Sequence, residues 1–152
     1  MTADFDILHN ISIWAALSAW MFAQFLKLLF STIKTKKIDF HVFVRLGGMP
    51  SSHSAMASAL ATSVGLCVGF STPLFALTLA FSGIIMFDAQ SVRRAAGTQA
   101  RLLNQIVEEF FKEKHVSEKK LVEFLGHTPL EVFLGMALGI AMALIIHTYW
   151  PL

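Results

Sequence analysis

Two histidines set among small and hydroxyl-bearing residues are where chemistry is easiest to write in this sequence. His53 lies in GGMPSSHSA, residues 47–55, and His127 in GHTPLE, residues 126–131. A third cluster, SVRRAAG at 91–97, adds two arginines. In the first stretch Gly47 and Gly48 permit a tight backbone approach, Pro50 stiffens the turn, and Ser51 or Ser52 can cap a helix that begins there. The first N–H groups of such a helix have no intrahelical acceptor, so they form a ready anion site. Neighbouring residues on a helix point in different directions, which argues against a serine nucleophile activated by His53. The plainer reading is a serine N-cap after a Gly-Pro turn with His53 as an interfacial histidine, and these nine residues alone leave both readings open.

His127 stands four residues before Glu131. On one helix face the carboxylate would hold one ring nitrogen and leave the lone pair of the other for chemistry. Thr128, Pro129 and Glu131 also spell a capping box with proline at its first helical position. The two roles compete, because one carboxylate is asked to serve both the Thr128 N–H and the imidazole. Of Arg93 and Arg94, one is expected to face inward and offer bidentate donors to a phosphate, the other to anchor at the headgroups. Asp88 would orient or neutralise that arginine. Lys27, Lys37 and Arg45 are weaker candidates of the same kind.

These residues need elements to position them, and the composition says what kind. The 152 residues are 55% hydrophobic and only 14% charged, with a mean hydropathy of +0.63. That is too apolar for an ordinary soluble domain of this size. The expected architecture is all-α: a polytopic membrane helical bundle with about four transmembrane helices and a cytoplasmic amphipathic helix, forming one domain over 1–152. A span needs roughly 20 mainly apolar residues, and candidates run at about 11–33, 53–71, 73–91 and 129–149. The second is built from Ser, Ala, Gly and Thr, which let helices approach closely in lipid and place it mid-bundle. Lys27 sits near the end of the first, from which it can snorkel to the headgroups. From about 97 to 114 apolar residues recur at helical spacing opposite charged ones, giving a helix on or beneath the bilayer; KEKHVSEKK at 112–120 is a charged connector. The single cysteine, Cys67, lies in an apolar stretch and reads as packing, with no cysteine metal site expected. The acidic start, MTADFDILHN, is unlike a signal peptide.

If four spans alternate, every Lys and Arg in the loops falls on one face, from Lys34 to Lys120. The other face, holding both termini and the turn at 71–73, has none. Short loops rich in Lys and Arg stay cytoplasmic. Both termini are therefore expected outside, and all three polar clusters converge on the cytoplasmic surface.

GGMPSSHSA, then FDAQSVRRAAG, then LGHTPLEVFLG, in that order, resemble the divergent branch of the type-2 phosphatidic acid phosphatase superfamily, which is related to acid phosphatases and vanadium-dependent haloperoxidases. The resemblance runs from Lys27 into the final span. It implies that Pro50, Ser51, Ser52 and His53 correspond to a phosphate-binding block with an acid histidine, and Gly48 in the turn before it is a further candidate for phosphate binding. It also implies that His127 is a nucleophile oriented by Glu131, and that no cofactor or metal takes part. Ser52 stands where the superfamily has glycine and Glu131 where it has aspartate. Leu121 occupies the position of an arginine six residues before the nucleophile. The usual lysine-to-arginine block is also missing, with Lys27 a loose counterpart and Arg45 followed by Leu46, so Arg93 or Arg94 must supply the clamp.

The expectation is a metal-independent membrane lipid phosphate phosphatase working through a phosphohistidine, with phosphatidylglycerophosphate, phosphatidic acid and polyprenyl phosphate as candidate substrates. Its partners would be the bilayer and a lipid phosphate, with no nucleic acid. Superfamily members in membranes usually have six spans, so a homodimer that completes the bundle is expected. The competing expectation is a non-catalytic membrane module that binds anionic lipid or phosphate, or scaffolds a partner. A haloperoxidase is disfavoured in so small a membrane chain. Transport is disfavoured too, since the spans bury no charge pair away from one face.

Overall fold

The computed structural model describes residues 7–38, 48–110 and 126–150. Among them every regular element is helical: a 3₁₀ turn (Ile7–His9), α1 (Ile11–Thr35), α2 (Ser52–Val68), α3 (Pro73–Phe87), a π-helical turn (Asp88–Val92), α4 (Arg93–Phe110) and α5 (Pro129–Tyr149). The all-α expectation holds, and the helix starts follow from side-chain chemistry. Asn10, Ser51, Thr72 and Thr128 each occupy an N-cap and accept a backbone N–H of the first turn. Pro73 and Pro129 fill first-turn positions, where a missing N–H costs nothing. α2 stops at Gly69, whose φ of 95° is a conformation few side chains tolerate.

Three cross-contacts fix the directions of the helices. Ser12, at the start of α1, meets Ser63 and Cys67 late in α2, whereas Lys27 near its end packs on Gly48 just before α2; the two run antiparallel. α3 returns alongside α2, with the Ser82 hydroxyl donating to the Ala57 carbonyl at 2.7 Å. α5 runs parallel to α2. Ser51 N donates to Glu131 O at 3.0 Å, Ser58 Oγ to Met136 O at 3.1 Å, and Ser63 Oγ lies 2.8 Å from His147 Nε2. The serine-rich α2 therefore lies between α1, α3 and α5, as its small residues led one to expect.

α1, the continuous run from Pro73 to Glu108, and α5 are long and apolar enough to cross a membrane. At 17 residues α2 is about 26 Å long, slightly short of the hydrocarbon thickness, and stops three residues before the expected end. The third span also differs from expectation. It leads through the π turn directly into α4, so the amphipathic helix starts at Arg93, not near 97, and is a continuation of the span. Its apolar Leu102, Leu103 and Ile106 are half exposed. The connector at 112–120 and the end of the amphipathic stretch lie outside the described residues.

Two glycines on α5 set the closest approach. A Cβ on Gly135 would collide with the Ser51 carbonyl, and one on Gly139 with the Ala55 carbonyl and Ser58 Oγ. Ala15, Ala19 and Ala23 of α1, Ala55 and Ala59 of α2 and Ala143 of α5 form the core around this seam. Lipid tails are as apolar as leucine, so such close packing and inter-helix hydrogen bonds hold the helices together. Gly135→Ala or Gly139→Ala should each cost about 1–3 kcal/mol by overpacking and lower the melting temperature in detergent. Gly83→Ala, which meets nothing within 4 Å, should leave it unchanged.

Candidate functional site

The directions of the helices bring four polar features to one end of the bundle. They are the last third of α1 with Lys27, the N-terminus of α2, the π turn after α3, and the N-terminus of α5.

The start of α5 is closed by reciprocal hydrogen bonds. Thr128 Oγ1 accepts from Glu131 N at 3.3 Å, and the Glu131 side chain reaches back through Oε2 to Thr128 N at 3.1 Å, a complete capping box. The same Oε2 accepts from His127 Nδ1 at 2.9 Å. The two roles that the sequence set in competition are thus filled by a single carboxylate oxygen. His127 precedes the helix, so the capping turn, not a shared helical face, brings ring and carboxylate together. His127 is 4% exposed, and its backbone N–H donates to Ala89 O in the π turn at 2.9 Å. With Nδ1–H donated to a carboxylate, the lone pair of a neutral ring sits on Nε2.

α2 is latched to this turn by the bond from Ser51 N to Glu131 O. Ser51 is fully buried, and its hydroxyl accepts from Ser54 N at 3.4 Å and Ser54 Oγ at 3.0 Å. Ser52 is buried too, whereas His53 is exposed in the first turn of the helix. Gly48 has a φ of 97°, and Met49–Pro50 is cis. The Lys27 methylenes pack where a Gly48 Cβ would sit, 3.4–3.5 Å away.

Lys27 departs from expectation. It is 7% exposed and stays within the bundle, where its charge interacts with that of Glu131; it does not snorkel outward. A cation beside the Glu131–His127 pair is what the sequence assigned only loosely. Asp88 is half buried and opens the π turn. Arg93 and Arg94 open α4 directly after that turn, but their side chains lie outside the described residues, as do Gly47, Arg45 and Leu121. Lys37 follows the end of α1 and is exposed. Among the described residues no three His, Cys, Asp or Glu side chains gather as a metal site.

Three contributors escaped the sequence reading. Gly135 lets Ser51 approach, Ala89 supplies the carbonyl that holds His127, and Gln24 lies buried one turn before Lys27 with no hydrogen-bond partner for its Oε1 among the described residues. Only the first carried a signal, the four-residue spacing of Gly135 and Gly139 within an apolar run.

A family model described as the divergent PAP2 family matches residues 8–142, nearly the whole described bundle. The chain belongs to the divergent PAP2 family. It is also 40% identical over 153 residues to the uncharacterized membrane protein YuiD of Bacillus subtilis (strain 168), covering 93% of this chain and 96% of that protein. No solved structure matches it. The protein is therefore a PAP2-related integral membrane protein.

In the divergent PAP2 chain the carboxylate should fix the ring tautomer. In 15N-resolved NMR spectra, neutral His127 should populate the Nδ1–H form. Glu131→Ala should mix the tautomers and, by removing the cap, cost roughly 1 kcal/mol of stability.

Proposed function

We propose that this protein is a membrane lipid phosphate phosphatase that hydrolyses a phosphomonoester through a phosphohistidine on His127, with its active site on the cytoplasmic side and both termini outside. The observation that carries the reading is buried His127 paired with half-buried Glu131 at 2.9 Å, beside the N-terminus of α2 and Lys27. Binding an anion needs only cations and N–H groups. A buried imidazole with its Nδ1 fixed by a carboxylate is the arrangement that makes Nε2 a nucleophile. Membership of the divergent PAP2 family supports the same chemistry.

In this reading the phosphate lies against the first turn of α2, with Gly48, Ser51 and Ser52 shaping the cradle and Lys27 together with Arg93 or Arg94 supplying positive potential. Asp88 positions the arginine. The Nε2 lone pair attacks phosphorus, the P–O bond to the lipid alcohol breaks, and His53 as imidazolium protonates the departing alkoxide. Neutral His53 then takes a proton from water as that water attacks the phosphohistidine, releasing inorganic phosphate and restoring both rings. Positioning and electrostatics do most of the work in phosphoryl transfer. Phosphatidylglycerophosphate, phosphatidic acid and polyprenyl phosphate are the substrates to compare. Two copies are expected to associate.

A specific observation favours the second reading, a binding module without turnover: Leu121 occupies the place of a superfamily arginine. Phosphate release from lipid phosphates in mixed micelles separates the two. The phosphatase reading predicts loss of release in His127→Ala, a decrease of about 10²–10⁴-fold in His53→Ala, and a bell-shaped pH profile, since one imidazole must be neutral and the other charged. Equal release by wild type and His127→Ala would refute the mechanism, and no release by either, with phosphate still bound, would establish the binding module. Lys27→Met keeps the methylenes on Gly48 and removes the charge. It should fold normally and weaken vanadate binding by about ten- to a hundredfold, as loss of a charge-assisted contact of roughly 1.5–3 kcal/mol implies.

A further inference from the structure

One buried side chain at the polar end has no part in the chemistry proposed above. Gln24 of α1 is 9% exposed, and its Oε1 finds no hydrogen-bond partner among the described residues. A buried amide oxygen without a donor costs free energy that an apolar side chain of similar length would not, so it calls for an explanation. Its height in the bundle follows from the antiparallel packing of α1 and α2. Ser12 bonds Ser63, and Lys27 packs on Gly48. Twelve residues along α1 from Ser12 stands Gln24, and twelve residues back along the chain from Ser63 stands Ser51. With equal rise along both helices the two lie at one level. Gln24 also shares the buried face of α1 with Lys27, one turn on. The orphan acceptor is therefore level with Ser51, the N-cap of α2 whose N–H holds the Glu131 carbonyl.

Given the phosphatase reading, on which this rests and which sets the phosphate against the first turn of α2, we propose that Gln24 selects the substrate. Its Oε1 accepts a hydrogen bond from a free hydroxyl of the alcohol, on the carbon next to the one that carries the phosphate. An ionised phosphate presents only acceptor oxygens, which repel an amide oxygen, so the donor must come from the alcohol. The class that fits is a lipid phosphate of the glycerol-phosphate type with that hydroxyl free. Phosphatidylglycerophosphate belongs to it. Phosphatidic acid has an ester at the corresponding carbon, which offers acceptors alone, and polyprenyl phosphate has hydrocarbon. With either of these bound, the Gln24 oxygen stays desolvated and unpaired. Discrimination then comes from that penalty as much as from the bond, which is how a site built around a hydroxyl rejects an analogue without one.

Two lipids that differ by this one hydroxyl provide the test: an oleoyl glycerol phosphate with its middle hydroxyl free, and the corresponding oleoyloxypropyl phosphate. The full chain in detergent is titrated with each, affinity is read from the ligand-induced rise in melting temperature, and phosphate release is measured separately. Wild type should favour the hydroxyl-bearing lipid by about 10–100-fold in affinity. Gln24→Met, of similar length and without a strong acceptor, should lose that advantage while binding the deoxy lipid as wild type does. Ligand-free Gln24→Met should also melt at a higher temperature than wild type, because an unpaired acceptor has been removed; lower melting would mark the amide as structural and overturn the proposal. Equal affinity of wild type for both lipids, or an advantage that survives Gln24→Met, would overturn it as well. So would an equal loss on both lipids, which marks an amide bound to the phosphate itself. A preference that Gln24→Met erases, in a protein that releases no phosphate, would support the role of Gln24 and refute the phosphatase.

Discussion

The polar end of this bundle depends on how closely α2 and α5 approach. Because Gly135 has no side chain, the Ser51 carbonyl occupies the space a Cβ would need, and the Ser51 N–H reaches the Glu131 carbonyl at 3.0 Å. One contact thereby places the first turn of one helix against the acid that organises the next. In lipid there is no hydrophobic gain from bringing two helices together, so small residues and serine hydroxyls must supply the attraction. Ser58 and Ser82 extend the same device, each donating across a helix interface to a neighbouring carbonyl.

Glu131 is where the consequences meet. Its amide completes the cap, its carbonyl takes Ser51, and one carboxylate oxygen serves both Thr128 and His127. The backbone of His127 is held from a third direction by Ala89, in the π turn that interrupts the long helix from Pro73 onward. Such turns disturb the regular hydrogen-bond ladder and are frequent at functional sites. Here the turn also directs the chain from an apolar span into the amphipathic α4. Glu131 thus holds the imidazole, Ala89 the His127 backbone, and Ser51 the Glu131 carbonyl, so three elements remote in sequence meet at this turn.

Much of this was legible in the sequence. Ser51, Thr128 and Pro129 announce their helix starts through local chemistry, and the last span begins and ends where its apolar run does. The small residues of α2 gave its central position, and the one-sided Lys and Arg gave the grouping of the polar clusters at one end. What stayed hidden depends on geometry beyond the local chain. Glu131 can serve two donors because His127 sits outside the helix, a detail that helical spacing misstates. Lys27 looks like a snorkelling lysine until the turn at Gly48 is seen to cover its methylenes. Ser63 and His147, 84 residues apart, carry no motif and meet only because α2 and α5 run parallel.

The central claim, that His127 carries the phosphoryl group, is tested most directly by acid-free quenching of the enzyme during turnover of a lipid phosphate labelled in its phosphoryl group. Peptide mass spectrometry then locates the label. The account predicts an acid-labile, base-stable phosphate on the peptide that contains His127, absent from His127→Ala and accumulating in His53→Ala when an activated leaving group removes the need for protonation. Turnover by the wild type with the label on another residue, or with no covalent phosphate under any quench, would contradict it.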